Sequence, residues 1–522
     1  MTFSARRGAP TAAAAVLALA YVIVSPPSLD LAAHLLRAKL FGAEGFGLWN
    51  NWWYSGHHVP GYSVLFPPVA WLLTPQVAGA LAAVATAALF ESLVWRHFGP
   101  RAWLGALWFG AATATDLYTG RLTFAFGLLP AVATAVALQR RRPVLAGALA
   151  VLTALASPVA ALFAALAGAA YAVGRLIGDH DRRAVFVGAG VAVAALVPVL
   201  ILAVAFPEGG TEPFTFPVLW PILLIAAVSL ATLPREEWVL RSGIALYVLG
   251  CLGSYAVPSP VGSNAARLGS LLAGPLAALL WWRRRMAWLL VVALPLLYIQ
   301  WQAPVRDVRT SANDPSDAAA YWKPLLSFLG RQGGPPFRVE VPFTQFHFEA
   351  YHLAPRFPSP RGWERQLDIK DNPLFYDGTL TAGRYEQWLH QVAVRFVAVA
   401  DVHLDYAGRQ EAALIARGLP YLRPVMRSAH FRVYAVRNPT PIVTGSAALR
   451  AIGPNSLTLR AMRPGRALVR VHFTPYWALG QGSGCVAPAG DFTALTLRRP
   501  GPVRLVISFS LGRIGSRAPR CS

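Results

Sequence analysis

The sequence predicts a polytopic α-helical membrane protein of about 11 spans, followed by an extracytoplasmic α/β region and then a β-rich, sandwich-like region. Three observations carry this expectation. The 522 residues are 55% hydrophobic and only 14% charged, with a mean hydropathy of +0.45, too apolar for a soluble protein of this length. Apolar runs of bilayer length alternate with charged or Pro/Gly-rich joints as far as Gln302. Beyond Gln302 the hydropathy falls and the hydrophobic period shortens to two.

Within the predicted membrane region, residues 1–303, arginine placement sets orientation. The chain carries 47 Lys+Arg against 24 Asp+Glu, a balance that in a soluble protein would point to nucleic acid. Here the arginines stand in short clusters between apolar runs, and no RNP, zinc-finger or helix-turn-helix pattern accompanies them, so no nucleic-acid partner is expected. Arg6-Arg7, Arg96 with Arg101, Arg140-Arg141-Arg142, Arg175 with Arg182-Arg183, Arg235 with Arg241, and Arg283-Arg284-Arg285 recur at every second joint. Because cytoplasmic loops hold the Lys/Arg excess, the N-terminus reads as cytoplasmic and an odd span count sends the tail outside. That parity depends on residues 143–174, which read as two short helices broken at Ser157-Pro158 or as one long tilted helix. The first apolar run lacks a clear small-x-small cleavage site and reads as an uncleaved helix.

The tail divides into residues 304–440, where short alternating strands at 337–341, 394–399 and 431–436 are separated by helical pieces, and residues 441–522, which read as nearly all strand. The three cysteines match no metal or redox spacing. Cys251 reads as a small core residue; Cys485 and Cys521 are either a disulfide or two free thiols.

Candidate functional residues cluster in the first outer loop, which is long where most joints are short. Pro26-Pro27 ends the first span, Ser28 is a helix-starting residue, and residues 29–41 form an amphipathic pattern with Asp30, His34 and Arg37 on one face. That face is either solvated or presented to a substrate. Next comes an aromatic and polar run containing Trp52, Trp53, Tyr54, His57 and His58, which suits an interfacial belt or a sugar-binding surface. The adjacent histidines do not by themselves make a metal site. The second outer joint places Asp116 and Arg121 at the mouth of the membrane region, where charges are costly unless paired or functional. A later joint carries Asn264 and Arg267, the latter suited to a lipid phosphate.

Taken together, Asp30, Phe66-Pro67-Pro68, and Asp116 with Gly120-Arg121 and Phe124 resemble the layout of the GT-C superfamily of membrane glycosyltransferases. Here the first acid stands alone rather than as an adjacent acidic pair. The resemblance implies a plasma-membrane enzyme of a bacterium that takes a sugar from a polyprenyl-phosphate donor and passes it to an extracytoplasmic glycan or lipid acceptor. It further implies Asp30 as general base or as a ligand of a divalent cation, with Asp116 beside it, and Arg267 or Arg121 at the departing phosphate. The remaining substrate contacts would come from His34, Trp52, Trp53, Tyr54, His57, His58 and Asn264. Asp30, Asp116 and Arg267 are expected to converge on a cavity lined by residues 49–62. A noncatalytic protein that binds or moves a lipid-linked polymer is the alternative, and a transporter the third reading, with Glu91 as its acid within a span.

Overall fold

A computed structural model describes residues 7–282 and 285–522; Arg6, Arg283 and Arg284 of the orientation pattern lie outside the described residues. The chain forms two compact units. The first comprises Met1–Ala38, Gly61–Leu202 and Thr211–Ala312; the second comprises Lys39–Pro60, Ala203–Gly210 and Asn313–Ser522.

The first unit is helical. Among the described residues six helical segments are long and apolar enough to cross a membrane: Pro75–Tyr118, Leu122–Gln139, Pro158–Asp179, Arg182–Ala205, Trp238–Ala256 and Met286–Ser311. The 44-residue Pro75–Tyr118 segment is itself two helices, Pro75–Phe98 and Trp103–Tyr118, joined by a 3-10 turn. Ala9–Val24, Pro143–Ala156 and Phe216–Thr232 are apolar but shorter. Ala266–Trp281 adds 16 residues and carries Arg267 near its start.

Proline and hydroxyl residues punctuate these helices. Residues 143–174 are interrupted at Ser157, whose backbone is extended and whose hydroxyl accepts from Ala160 N while Pro158 opens the next helix. Proline is well suited there, since the first N–H groups of a helix lack internal partners. Small residues then allow close approach. A Cβ on Gly168 would stand 2.7 Å from Gly188 O, so the helices Pro158–Asp179 and Arg182–Ala205 meet almost backbone to backbone. Glu91 accepts from Gly8 N at 2.7 Å and from the Thr11 hydroxyl at 2.9 Å. Its carboxylate therefore caps the positive end of Ala9–Val24, and the cue for a transporter is spent on a helix terminus.

In the second unit, a four-stranded sheet has the order Arg338–Glu340, Val394–Ala400, Phe431–Val436, Leu422–Arg427. The first pair is parallel and the others antiparallel. Residues 441–522 form two facing antiparallel sheets of five and four strands. Their alternating inward residues, among them Leu457, Val469, Leu495 and Leu505, bury a common core. Cys485 and Cys521 form a disulfide that fastens the terminal strand Arg520–Cys521 to Gly484–Ala489.

The second unit also contains a buried ionic cluster. Arg361 contacts Asp368 at 2.6 Å, Glu411 at 3.1 Å and Glu340 at 3.8 Å, with all four side chains fully buried. Its guanidinium lies between the rings of Phe343 and Phe375. One cation cannot neutralise three carboxylates. Burial, then the neighbouring Glu411, pushes the Glu340 carboxyl well above its usual range.

Candidate functional site

The first unit brings Asp30 and Asp116 into one neighbourhood through a turn and a helix. Trp103–Tyr118 ends in a turn in which Gly120 N bonds Leu117 O and Arg121 N bonds Asp116 O. Gly120 has φ +78°, and a Cβ there would lie 3.0 Å from Ser28 Cβ and 3.1 Å from Asp30 N. Only glycine fits that approach without strain. The turn thus lies directly against the start of the helix Leu31–Glu44, where His34 N bonds back to Asp30 O.

His34 locks this contact. Its Nε2 donates to Gly120 O at 2.9 Å, leaving Nδ1 to accept from the Thr123 hydroxyl at 3.3 Å. Burial, then the nearby Arg37 charge, drives its pKa down to about 3 against the partial support of the Gly120 carbonyl. A ring so held neutral is a clamp rather than a proton shuttle. Aromatic rings complete the packing: His34 meets Phe66 edge-on at 5.2 Å, and Arg37 stacks over Tyr62 at 3.7 Å. Phe66 opens a short helix whose proline follows within its first two positions.

The charges at this contact are mixed. Arg121 Nη1 stands 4.0 Å from Asp116 Oδ1, with the arginine 36% exposed and the aspartate 6%, so the pair is loose and Arg121 has reach to spare. Arg267 lies over the Phe124 ring at 5.4 Å, and the charges of Asp30, Asp116 and Arg121 all act on it. Asn264 is buried in the 3-10 turn Gly262–Ala265 just before that helix. Asp30, His34, Asp116, Arg121 and Arg267 therefore belong to one neighbourhood. Two acids with neighbouring arginines can take a proton from a hydroxyl and stabilise an anionic leaving group in the same place.

Trp52, Trp53, Tyr54, His57 and His58 lie in the second unit instead, and all are buried. Trp49–Asn50 pairs with His57–His58 as a two-stranded ribbon, its tight turn passing through Tyr54 and Ser55 at positive φ. Trp53 Nε1 donates to Ala350 O at 3.1 Å and the Tyr54 hydroxyl to Glu364 O at 2.7 Å. Trp52 O accepts from Ser359 N. His57 stacks on Trp53; His58 Nε2 meets the Thr474 hydroxyl at 3.0 Å, and its Nδ1 stands 2.8 Å from Glu208 Oε1. These rings are committed to packing inside that unit, so the ribbon presents no flat aromatic face to a ligand.

Two participants escaped the sequence reading. Thr123 joins Gly120, already quoted within the Asp116–Arg121 joint, in holding His34. Asp307, 3% exposed near the end of Met286–Ser311, is acted on by the charge of Arg121. A groove of about 530 Å3 in the second unit, lined by residues such as Glu386, His390 and Arg470, contains none of the residues named above. Among the described residues no group of three or more His, Cys, Asp or Glu side chains is placed to hold a metal ion. The donor set therefore does not fit a divalent cation bound by protein ligands alone. No protein-family model matches the chain, and no curated protein matches it either.

Proposed function

We propose that this chain is a membrane glycosyltransferase of the GT-C type, which moves a sugar from a polyprenyl-phosphate donor to a glycan or lipid acceptor on the outer face of a bacterial plasma membrane. The observation that carries this reading is the seating of the Asp116–Arg121 turn on the start of the Asp30 helix, with Arg267 under the charge of both acids. In this mechanism Asp30 takes the proton of the acceptor hydroxyl as that oxygen attacks the anomeric carbon. The bond to the donor phosphate breaks, and Arg267 with Arg121 stabilises the departing lipid phosphate. Because that phosphate is an activated leaving group, positioning and charge stabilisation suffice without a covalent nucleophile.

The same proposal includes a topology of about 11 spans, with the N-terminus inside and the second unit outside. The break at Ser157 supports the odd span count. The Cys485–Cys521 disulfide supports an oxidising compartment for the tail. Transfer of labelled sugar from polyprenyl-phosphate donors by the purified protein tests the activity, and labelling of a cysteine introduced near Asp405 tests the topology. Absence of transfer across a panel of such donors contradicts the first; labelling only from the cytoplasmic side contradicts the second.

A further inference from the structure

Asp307 occupies a position that costs the free protein stability. It is 3% exposed, and its Oδ1 accepts from Arg306 Nε at 3.0 Å and lies 2.9 Å from Nη2 of the same guanidinium. Its Oδ2, also buried, has no hydrogen-bond partner among the described residues. Arg306 is 67% exposed, so solvent screens that pair and leaves it a weak anchor. Adjacent residues on a helix point in different directions, so the arginine must bend back to reach the acid. Asp307 also sits about one turn from the C-terminal end of Met286–Ser311, where the helix dipole favours cations over carboxylates.

A buried carboxylate oxygen without a donor, at the wrong end of a helix, is poorly explained by folding alone. Its electrostatic surroundings supply the explanation. The charge of Arg121 acts on Asp307, and the same arginine is paired with Asp116 and acts on Arg267. The helices that carry Asp116 and Asp307 are also joined directly: Trp108 Nε1 donates to Gln300 Oε1 at 2.9 Å, about two turns before Asp116 and Asp307 on their respective helices.

We propose that Asp307 is a substrate-binding residue, whose Oδ2 accepts a hydrogen bond from a hydroxyl group of the sugar being transferred. This rests on the glycosyltransferase reading. It adds a third acid to the site, one that binds rather than takes a proton: a carboxylate is suited to grip a neutral polyol, while Arg121 and Arg267 attend to the phosphate. An unpaired buried oxygen costs stability, whereas one that accepts from a sugar hydroxyl contributes a charge-assisted hydrogen bond to binding.

The test is Asp307→Asn in the full chain, read by thermal unfolding and by transfer kinetics. Asparagine keeps the shape and removes the charge. The midpoint of unfolding should stay level or rise, because an uncompensated buried charge is gone. kcat/KM for the donor should fall about 10- to 100-fold, the loss of one hydrogen bond to a charged group, and the stabilisation conferred by polyprenyl-phosphate-sugar should shrink with it. A donor lacking sugar, polyprenyl phosphate, should stabilise wild type and variant alike. A lowered midpoint with unchanged kinetics would mark Asp307 as a structural partner of Arg306 and overturn the proposal while leaving the transferase reading intact. A wild-type protein that neither transfers sugar nor is stabilised by the donor would overturn both.

Discussion

Glutamine in place of Glu340 should remove a pH dependence that the second unit cannot otherwise avoid. Glu340, Glu411 and Asp368 share the single cation Arg361, and all four are fully buried. Glu349 acts on Glu340 from a fourth element, and the Tyr385 hydroxyl donates to Glu411. Both Glu340 oxygens lack hydrogen-bond partners among the described residues, which marks it as the member least able to hold charge. At pH below the ordinary carboxylate range, folded and unfolded chains both keep this proton. Above it the unfolded chain releases the proton and the folded chain holds it. Stability therefore falls by about 1.4 kcal/mol per pH unit until the folded carboxyl itself ionises. In Glu340→Gln that slope is absent, at little cost in packing because the shapes match. The assay is hydrogen exchange of the strand Val394–Ala400, corrected for intrinsic rates and compared between wild type and variant from pH 5 upward in full-length protein. The slope difference is the quantity that matters, since Asp371 and Glu411, each pushed up to about 7 by burial, add contributions of their own. Parallel slopes, or wild-type protection that strengthens with pH relative to the variant, would refute the idea of a protonated core glutamate.

Three further outcomes follow from the geometry. Thiol titration of denatured, unreduced protein purified from membranes should find one free cysteine, Cys251, and three would contradict the pairing; cutting the bond by Cys521→Ser should cost the second unit up to about 4 kcal/mol on the loop-entropy account. Trp49→Ala should cost about 3–5 kcal/mol and expose the unit to limited proteolysis, because Trp49 is 2% exposed within the sandwich core beside Trp477; unchanged protease resistance would restore a surface role. Gly120→Ala should lower the melting temperature through about 1–2 kcal/mol of backbone strain and, by pushing on Ser28 and the Asp30 backbone, lower transfer as well; wild-type behaviour in both readouts would show that the turn does not position Asp30.

Local pattern made much of the fold readable. The break at Ser157-Pro158 was visible because a hydroxyl cap followed by proline reports on its own backbone. The shift to period two beyond Gln302 announced sheets for the same reason. His34 was identified as a site residue from helical spacing with Asp30, although its role as a neutral clamp depends on Gly120, 86 residues away. The aromatic run was opaque. Its composition suits a membrane edge, a sugar surface or a core equally, and its partner Gly453 lies 402 positions from Asn51. No local period records such a pairing. Glu91 was visible as an acid inside a span, but the helix start it caps lies 83 residues earlier and leaves no local trace. Asp307 lay just past the point where hydropathy fell, so it was read with the tail rather than with the helix that carries it.

The most direct test of the central claim is sugar transfer by Asp30→Asn. The substitution preserves size and removes the carboxylate's basicity at a position where the start of Leu31–Glu44, the Gly120 turn and the charge of Arg267 meet. Purified wild-type protein should move labelled sugar from a polyprenyl-phosphate donor, and the variant, at matched expression and thermal stability, should still be stabilised by that donor while transferring about 10²- to 10⁴-fold more slowly. A well-folded Asp30→Asn protein that transfers at the wild-type rate would contradict the account.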